Sequence, residues 1–263
     1  MPRLMGMPIH DVTMNEAVDR VIDGLARGRG GTVITPNIDI LRQYRSSPDL
    51  REVFEGTDLL VADGMPLVVS LRLQRTPVPE QITGTDLLWA VSTAAAAHGH
   101  TVLLAGGLPG DADRAAEALR RRNPELQVQT YPCYVQPEAE AQQVAEMSRA
   151  VVESRADIVF IGLPFRTQVT TMALLREEMP ATWFFGVGSS FELVNGDRAR
   201  PPRWVQRMCM EWAWRLTSQP QLWRRYLVDG MPIAARLVMS ALRTRWQRQP
   251  IPVPASPSPV SSG

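Results

Sequence analysis

Two textures alternate along the first three quarters of the chain. Short apolar runs, GTVIT (31–35), TDLLVA (57–62), TVLLAG (101–106), LQVQTY (126–131), ADIVFIGL (156–163) and ATWFFGVG (181–188), read as strands. Between them, residues 112–122 and 138–154 carry helical spacing, many alanines and alternating charges. Strands apolar on both faces and separated by helices predict an α/β fold, a mostly parallel sheet with helices on both faces. From about residue 196 the pattern changes to helices only, with Pro201–Pro202 at the first helix start and Pro220 and Pro232 as punctuation. The chain ends in PIPVPASPSPVSSG, whose Pro and Ser content predicts disorder. Three parts are therefore expected: an α/β core over 1–195, a helical appendage over 196–248 and a tail over 249–263.

Composition adds little until it is divided along the chain. The 263 residues are 44% hydrophobic and 21% charged, and the formal net charge is +1. Residues 1–195 hold 17 Arg against 24 acids, whereas residues 196–263 hold 11 Arg against 3. Five of the seven Trp, at 204, 212, 214, 223 and 246, fall in that basic segment. Trp and Tyr mixed with Arg on amphipathic helices suit a membrane surface, where rings sit at headgroup level and arginines meet anionic lipid. Nucleic acid is a rival partner for such a segment, and simple packing of the rings on the core is a third use. No apolar run approaches the roughly 20 residues of a spanning helix. The start, MPRLMGMPIHD, lacks the apolar core of a signal peptide. A cytoplasmic protein with a peripheral membrane contact and no nucleic-acid partner is expected. Cys133 and Cys209, both among apolar or aromatic neighbours, read as buried free thiols.

In a Rossmann-like parallel sheet, ligands bind outside the carboxyl ends of the strands. TPNID (35–39), ADG (62–64), AGGLPG (105–110), GLPFRTQ (162–168) and GVGSSFE (186–192) all follow predicted strands, so five polar segments converge on one rim. Asp63 alone is either a turn residue or the working end of a site, and the company it keeps favours the second. In AGGLPG, Gly106 and Gly107 precede a helix start at Asp111, which suits either a phosphate cradle or a plain turn. The absence of GxGxxG and GxxxxGK[ST] leaves a dinucleotide dehydrogenase or a P-loop NTPase unsupported. His10, His98 and His100 lie in turn-like or helix-end settings, and His98-Gly99-His100 reads as a helix C-terminal turn rather than a ligand pair. DAD at 111–113 reads as a helix cap. No cofactor or metal is expected.

Taken in order, TPNID, LLVADGMPLV, ITGTDLL, LLAGGLPG, ADIVFIGLP, GVGSSFEL and RPPRWVQRMCMEWAWRL…LWRRYL resemble the WecG/TagA/CpsF glycosyltransferase family, over about residues 5–228. The resemblance implies inverting transfer of a hexose or N-acetylhexosamine from a UDP-sugar to a polyprenyl-diphosphate-linked saccharide at the membrane. It implies Asp63 as general base, followed by Gly64. Thr35 and Asn37 would line the donor pocket, and Gln168 would be a polar site residue in the loop after GLP. Glu192 would serve the uridine, Tyr134 would pack on the base, and Arg215, Arg224 and Arg225 would be supplied by the appendage on docking. Gln81 stands where the family usually has Arg, and Arg166, Thr167 and Val169 stand where Pro, Lys and Glu are common. These departures leave open an alternative, a non-catalytic nucleotide-sugar-binding or scaffold protein on the same fold.

Overall fold

The computed structural model describes residues 1–76, 80–136, 138–196, 205, 211–218, 221 and 223–247. Six of its strands run parallel in one sheet: β3 (Gly31–Ile34), β4 (Leu59–Leu60), β5 (Thr101–Gly106), β6 (Gln127–Tyr131), β7 (Ile158–Gly162) and β8 (Trp183–Gly186), in the order β4-β3-β8-β7-β5-β6. These are the six apolar runs of the sequence, so the expected α/β fold stands. Side chains alternate between faces along each strand. Val33, Leu104, Phe160 and Phe185 point to one side, and Ile34, Ala105, Ile161 and Phe184 to the other.

The first face is covered by α1 (Met14–Ala26), α5 (Gly84–His98), α6 (Asp111–Arg122) and α9 (Ser190–Val194). On the second lie α2 (Ile38–Ser46), α3 (Pro48–Glu55), α4 (Met65–Leu73), α7 (Glu140–Ser154) and α8 (Phe165–Glu178). Two carboxylates fix the amino-terminal edge in the same manner. Asp58, just before β4, accepts the Thr32 N–H at 2.8 Å, and Asp157, just before β7, accepts the Thr101 N–H at 2.8 Å. Each ties an incoming strand to its neighbour before the ladder begins.

A hairpin of β1 (Arg3–Leu4) and β2 (Met7–Pro8) precedes the sheet. Two residues per strand are too few to show a period, which is why the sequence pattern misses it. The chain leaving this hairpin runs beside β4. His10 N–H donates to Leu60 O at 2.7 Å, and Leu60 N–H donates to His10 Nδ1 at 2.9 Å. The expected turn at His98-Gly99-His100 is present, with Gly99 left-handed at φ 72° ending α5. Cys133 is a buried free thiol, and burial, then the Glu146 carboxylate, pushes its pKa up. Cys209, Trp204, Pro201, Pro202, Pro220 and the tail 249–263 lie outside the described residues.

The carboxyl-terminal segment is helical where described. It comprises α10 (Glu211–Ser218), a π-helical stretch (Arg224–Gly230) and α11 (Met231–Gln247). Ile233, Leu237 and Ala241, one turn apart, are buried, and α11 packs on α4 and α2. Among the described residues no helix is long and apolar enough to cross a membrane.

Burial, then the charge of Arg20, lowers the His10 pKa below its ordinary 6.5. Protonation is therefore resisted by the fold. The resulting stability is full above pH 6.5 and is lost as pH falls from there through the lower folded value. Denaturant titrations from about pH 7.5 down to about pH 5, within the range where imidazole titrates, should show this loss in the wild type. In His10→Asn it should be reduced.

Candidate active site

Because all six strands are parallel, their carboxyl ends share one edge, and the polar segments of the sequence meet there. Thr35 closes β3 and is buried. Asn37 caps α2, its Oδ1 accepting the Asp39 and Ile40 N–H groups at 3.0 and 3.1 Å. One face of that side chain is thus committed to the helix start. Asp63 N–H donates to Pro36 O at 2.9 Å, and Ile82 N–H donates to Ala62 O at 3.0 Å. TPN, ADG and QIT are therefore laced side by side, with the half-buried Asp63 in the middle. Gly64 follows at φ 107°, ψ 131°, which a side-chain-bearing residue rarely adopts, and α4 begins at the next residue. The acid–glycine pair turns the chain sharply from strand end to helix start and leaves Asp63 on the rim.

Thr83 caps α5, its hydroxyl accepting the Asp86 N–H at 3.1 Å. A methyl group on Gly84 would lie 3.1 Å from Ser190 Oγ, 3.4 Å from Val187 Cα and 3.6 Å from Thr35 Oγ1. The ends of β3 and β8 and the start of α5 therefore close on this glycine. Gly84, Val187 and Ser190 were not among the sequence candidates. Their signal was present in ITGTDLL and GVGSSFEL, as small residues placed directly after strand and cap positions.

Farther along the rim, β5, β7 and β8 end on Gly106, Gly162 and Gly186. A methyl on Gly162 would stand 2.7 Å from the Phe191 ring, and one on Gly186 would collide with Gln168 Nε2. Gln168 is buried, and its Oε1 accepts the Gly188 N–H at 2.9 Å. The sequence reading set Gln168 in a loop, and the structure corrects this. The helix starts at Phe165, so Gln168 lies within the first turn of α8 and props the 187–189 turn from beneath. Glu192 sits half-buried on α9 beyond that turn.

Gly106 and Gly107 have φ of 100° and 88°. Gly107 N–H donates to Gly162 O at 2.8 Å, and Leu108 N–H donates to the Asp111 carboxylate at 3.1 Å. Asp111 is 3% exposed and pairs with Arg114 at 2.8 Å. Two amides of this loop are thus taken, and a carboxylate occupies the start of α6. Of the two readings left open for AGGLPG, the plain turn accounts for these contacts. The DAD segment is not the expected cap: the cap is Gly110, without a side-chain bond, and DAD begins the helix, with Asp111 closing the preceding turn.

Tyr134 is 52% exposed and follows β6, at the opposite edge of the sheet from β4. Five strand spacings separate the two, roughly 24 Å. The structure therefore sets Tyr134 and Asp63 at opposite ends of the rim. Arg224 is exposed, with its guanidinium 5.9 Å from the Trp223 ring centroid. The side chains of Arg215 and Arg225 lie outside the described residues, although both positions fall in helical segments. Two departures from the family pattern turn away from the rim. Val169 is in the core, and the Thr167 hydroxyl donates to Glu140. Among the described residues no group of three or more His, Cys, Asp or Glu side chains could hold a metal ion.

The fold and rim define a doubly wound α/β protein with its polar site at the carboxyl ends of a parallel sheet. The chain belongs to the glycosyl transferase WecG/TagA/CpsF family, whose family model matches residues 2–248. It is accordingly a glycosyltransferase. An N-acetylglucosaminyldiphosphoundecaprenol N-acetyl-beta-D-mannosaminyltransferase of Bacillus spizizenii is 26% identical over 204 residues, covering 77% of each chain.

Two substitutions test the rim's construction. Gly64→Ala forces a side chain into a backbone region at φ 107° and should cost about 1–3 kcal/mol. Gln168→Ala removes a buried amide from Gly188 and Gly186, and should also cost about 1–3 kcal/mol. Both are read by chemical denaturation, and a value near zero in either would discard the corresponding contact.

Proposed function

We propose that the chain transfers a hexose or N-acetylhexosamine unit from a UDP-sugar to a polyprenyl-diphosphate-linked saccharide, with inversion at the anomeric carbon. The observation that carries this reading is the position of Asp63. Its backbone is fixed to Pro36 and turned by Gly64, on the rim beside Thr35 and Asn37. In the proposed reaction the Asp63 carboxylate takes the proton of the acceptor hydroxyl as its oxygen attacks the anomeric carbon. The bond to the UDP oxygen breaks on the opposite face, and the diphosphate leaves with the electron pair. Thr35 and the remaining face of Asn37 serve the donor, and Gln168 holds the Gly188 turn from beneath. Glu192 is the candidate for the uridine, whereas Tyr134 lies at the far end of the rim from Asp63.

A leaving diphosphate needs positive charge. Arg215, Arg224 and Arg225 of the appendage are proposed to supply it without a metal ion. The relative's name carries an undecaprenol diphosphate, and this chain is proposed to meet a similar lipid-linked acceptor at the cytoplasmic membrane face. Trp223 and Trp246, 51% and 77% exposed, would enter the headgroup layer from the π-helical stretch and α11.

Release of UDP is the decisive measurement. A panel of UDP-sugars with a polyprenyl-diphosphate-GlcNAc acceptor should give acceptor-dependent release with one donor. Asp63→Asn should lower it by about 10²–10⁴-fold while unfolding stays cooperative; unchanged turnover would remove Asp63 from the role of base. Trp223→Ser combined with Trp246→Ser should weaken vesicle binding by about tenfold or more. That variant should lose transfer to a long-chain lipid acceptor while keeping it with a short, soluble one.

A further inference from the structure

A second cavity lies away from the rim, between the hairpin, the end of α2 and α11. Its volume is about 270 Å³, and it is lined by Met5, Arg45, Arg236, Met239, Ser240 and Arg243. Asn37 caps α2 at the rim, and Arg45 is in the last turn. The helix rises about 12 Å between them. Three arginines from two separate helices thus line one opening. None of them pairs with a carboxylate among the described residues. The backbone C=O of Arg45 accepts from Arg51 Nη2 at 3.0 Å. Three unneutralised cations around a common space repel one another, and an anion between them removes that repulsion.

The lip of the cavity narrows the choice of anion. Met239 both lines the opening and is exposed, and Leu242 and Trp246 continue the exposed apolar strip toward the end of α11. A free phosphate has no use for such a strip. An anion carried on hydrocarbon uses both features, with its phosphate in the planar forks of the arginines and its chains along the apolar side.

We propose that this cavity seats the phosphodiester of an anionic phospholipid headgroup, with the acyl chains laid along Met239, Leu242 and Trp246. The proposal rests on the membrane-docking reading above and adds to it a lipid preference and a fixed orientation. Because Arg45 belongs to α2, the seat joins the α/β core itself to the lipid. The sheet rim is then held at a set height and angle over the membrane.

Flotation of the full chain with phosphatidylcholine vesicles, with and without phosphatidylglycerol, tests this. The three arginines are exposed, so Arg45→Gln, Arg236→Gln and Arg243→Gln should leave the fold intact, as circular dichroism would verify. Each should weaken binding to phosphatidylglycerol vesicles by about fivefold. The triple variant should lose the preference for phosphatidylglycerol while retaining binding to phosphatidylcholine through the apolar strip. Arg245→Gln, on α11 but outside the cavity lining, should keep the preference. An equal loss in Arg245→Gln would reduce the effect to diffuse attraction and overturn the seat. So would a triple variant that still prefers phosphatidylglycerol, or vesicle-free saturation of the cavity by inorganic phosphate in calorimetry. Wild-type protein that binds both vesicles alike would overturn the headgroup seat alone. Failure to bind either vesicle would overturn the docking reading with it.

Discussion

Three neighbouring strands, β5, β7 and β8, end on residues without side chains, and the space this leaves is filled from outside the sheet. The Phe191 ring lies where a Gly162 methyl would stand, 2.7 Å away, and the Gln168 amide lies over Gly186. Both side chains come from short distances along the chain, Gln168 from the first turn after β7 and Phe191 from the helix after β8. The 187–190 turn is consequently clamped on two sides. Gln168 holds it through the Gly188 N–H, and the contact with Gly84 joins it to Thr35. A larger residue at Gly162 or Gly186 would push on Phe191 or Gln168 and lift the turn off the sheet. The position of the TPN and ADG segments would then no longer be referred to a rigid support. The rim is a consequence of missing atoms as much as of polar ones.

Sequence carried the fold well because burial on both faces imposes continuous apolar runs on the inner strands, while the edge strand β6, exposed at Gln127 and Gln129, alternates instead. The hairpin at Arg3–Pro8 escaped because a pair of two-residue strands has no period to detect. Residue roles were less legible than positions. Asn37 looks like a pocket residue in TPNID, yet an Asn before Ile-Asp is equally an N-cap, and the structure uses its Oδ1 that way. Gln168 sits four residues beyond Pro164, where loop and first helical turn read alike. Gly106 and Gly107 invited a phosphate because a helix follows them. The buried Asp111 carboxylate at that helix start is what argues for a turn, and its burial is not visible in the sequence.

The substitutions that set this chain apart from its family separate in the same way. Val169 replaces a position where charge is common, but it faces the core on the second side of the sheet, where a charge would need its own partner. Thr167 bonds to Glu140 and so joins α8 to α7. Neither bears on a diphosphate at the rim, so neither weighs for a non-catalytic protein. Gln81 is different. It directly precedes Ile82, whose N–H is held by Ala62 O, the carbonyl next to Asp63. Replacement of a cation there changes the charge around the proposed base, which makes Gln81 the departure placed nearest to it.

The proposed docking surface and the proposed base are connected through one helix. The buried positions of α11, Ile233, Leu237 and Ala241, belong to its packing on α4 and α2, whereas Met239, Leu242 and Trp246 face outward on the same seventeen-residue segment. Removing the helix to test membrane contact would uncover the core, so a loss of transfer after truncation would say nothing about lipid. The two faces have to be separated residue by residue. The same packing has a mechanical consequence, since α4 begins at Met65, immediately after the Asp63–Gly64 turn. A force or a lipid contact that shifts α11 acts on α4 along its length. Through α4 it acts on the turn that carries the proposed base, so the outward face of α11 and the Asp63–Gly64 turn are joined by one stack of packed side chains.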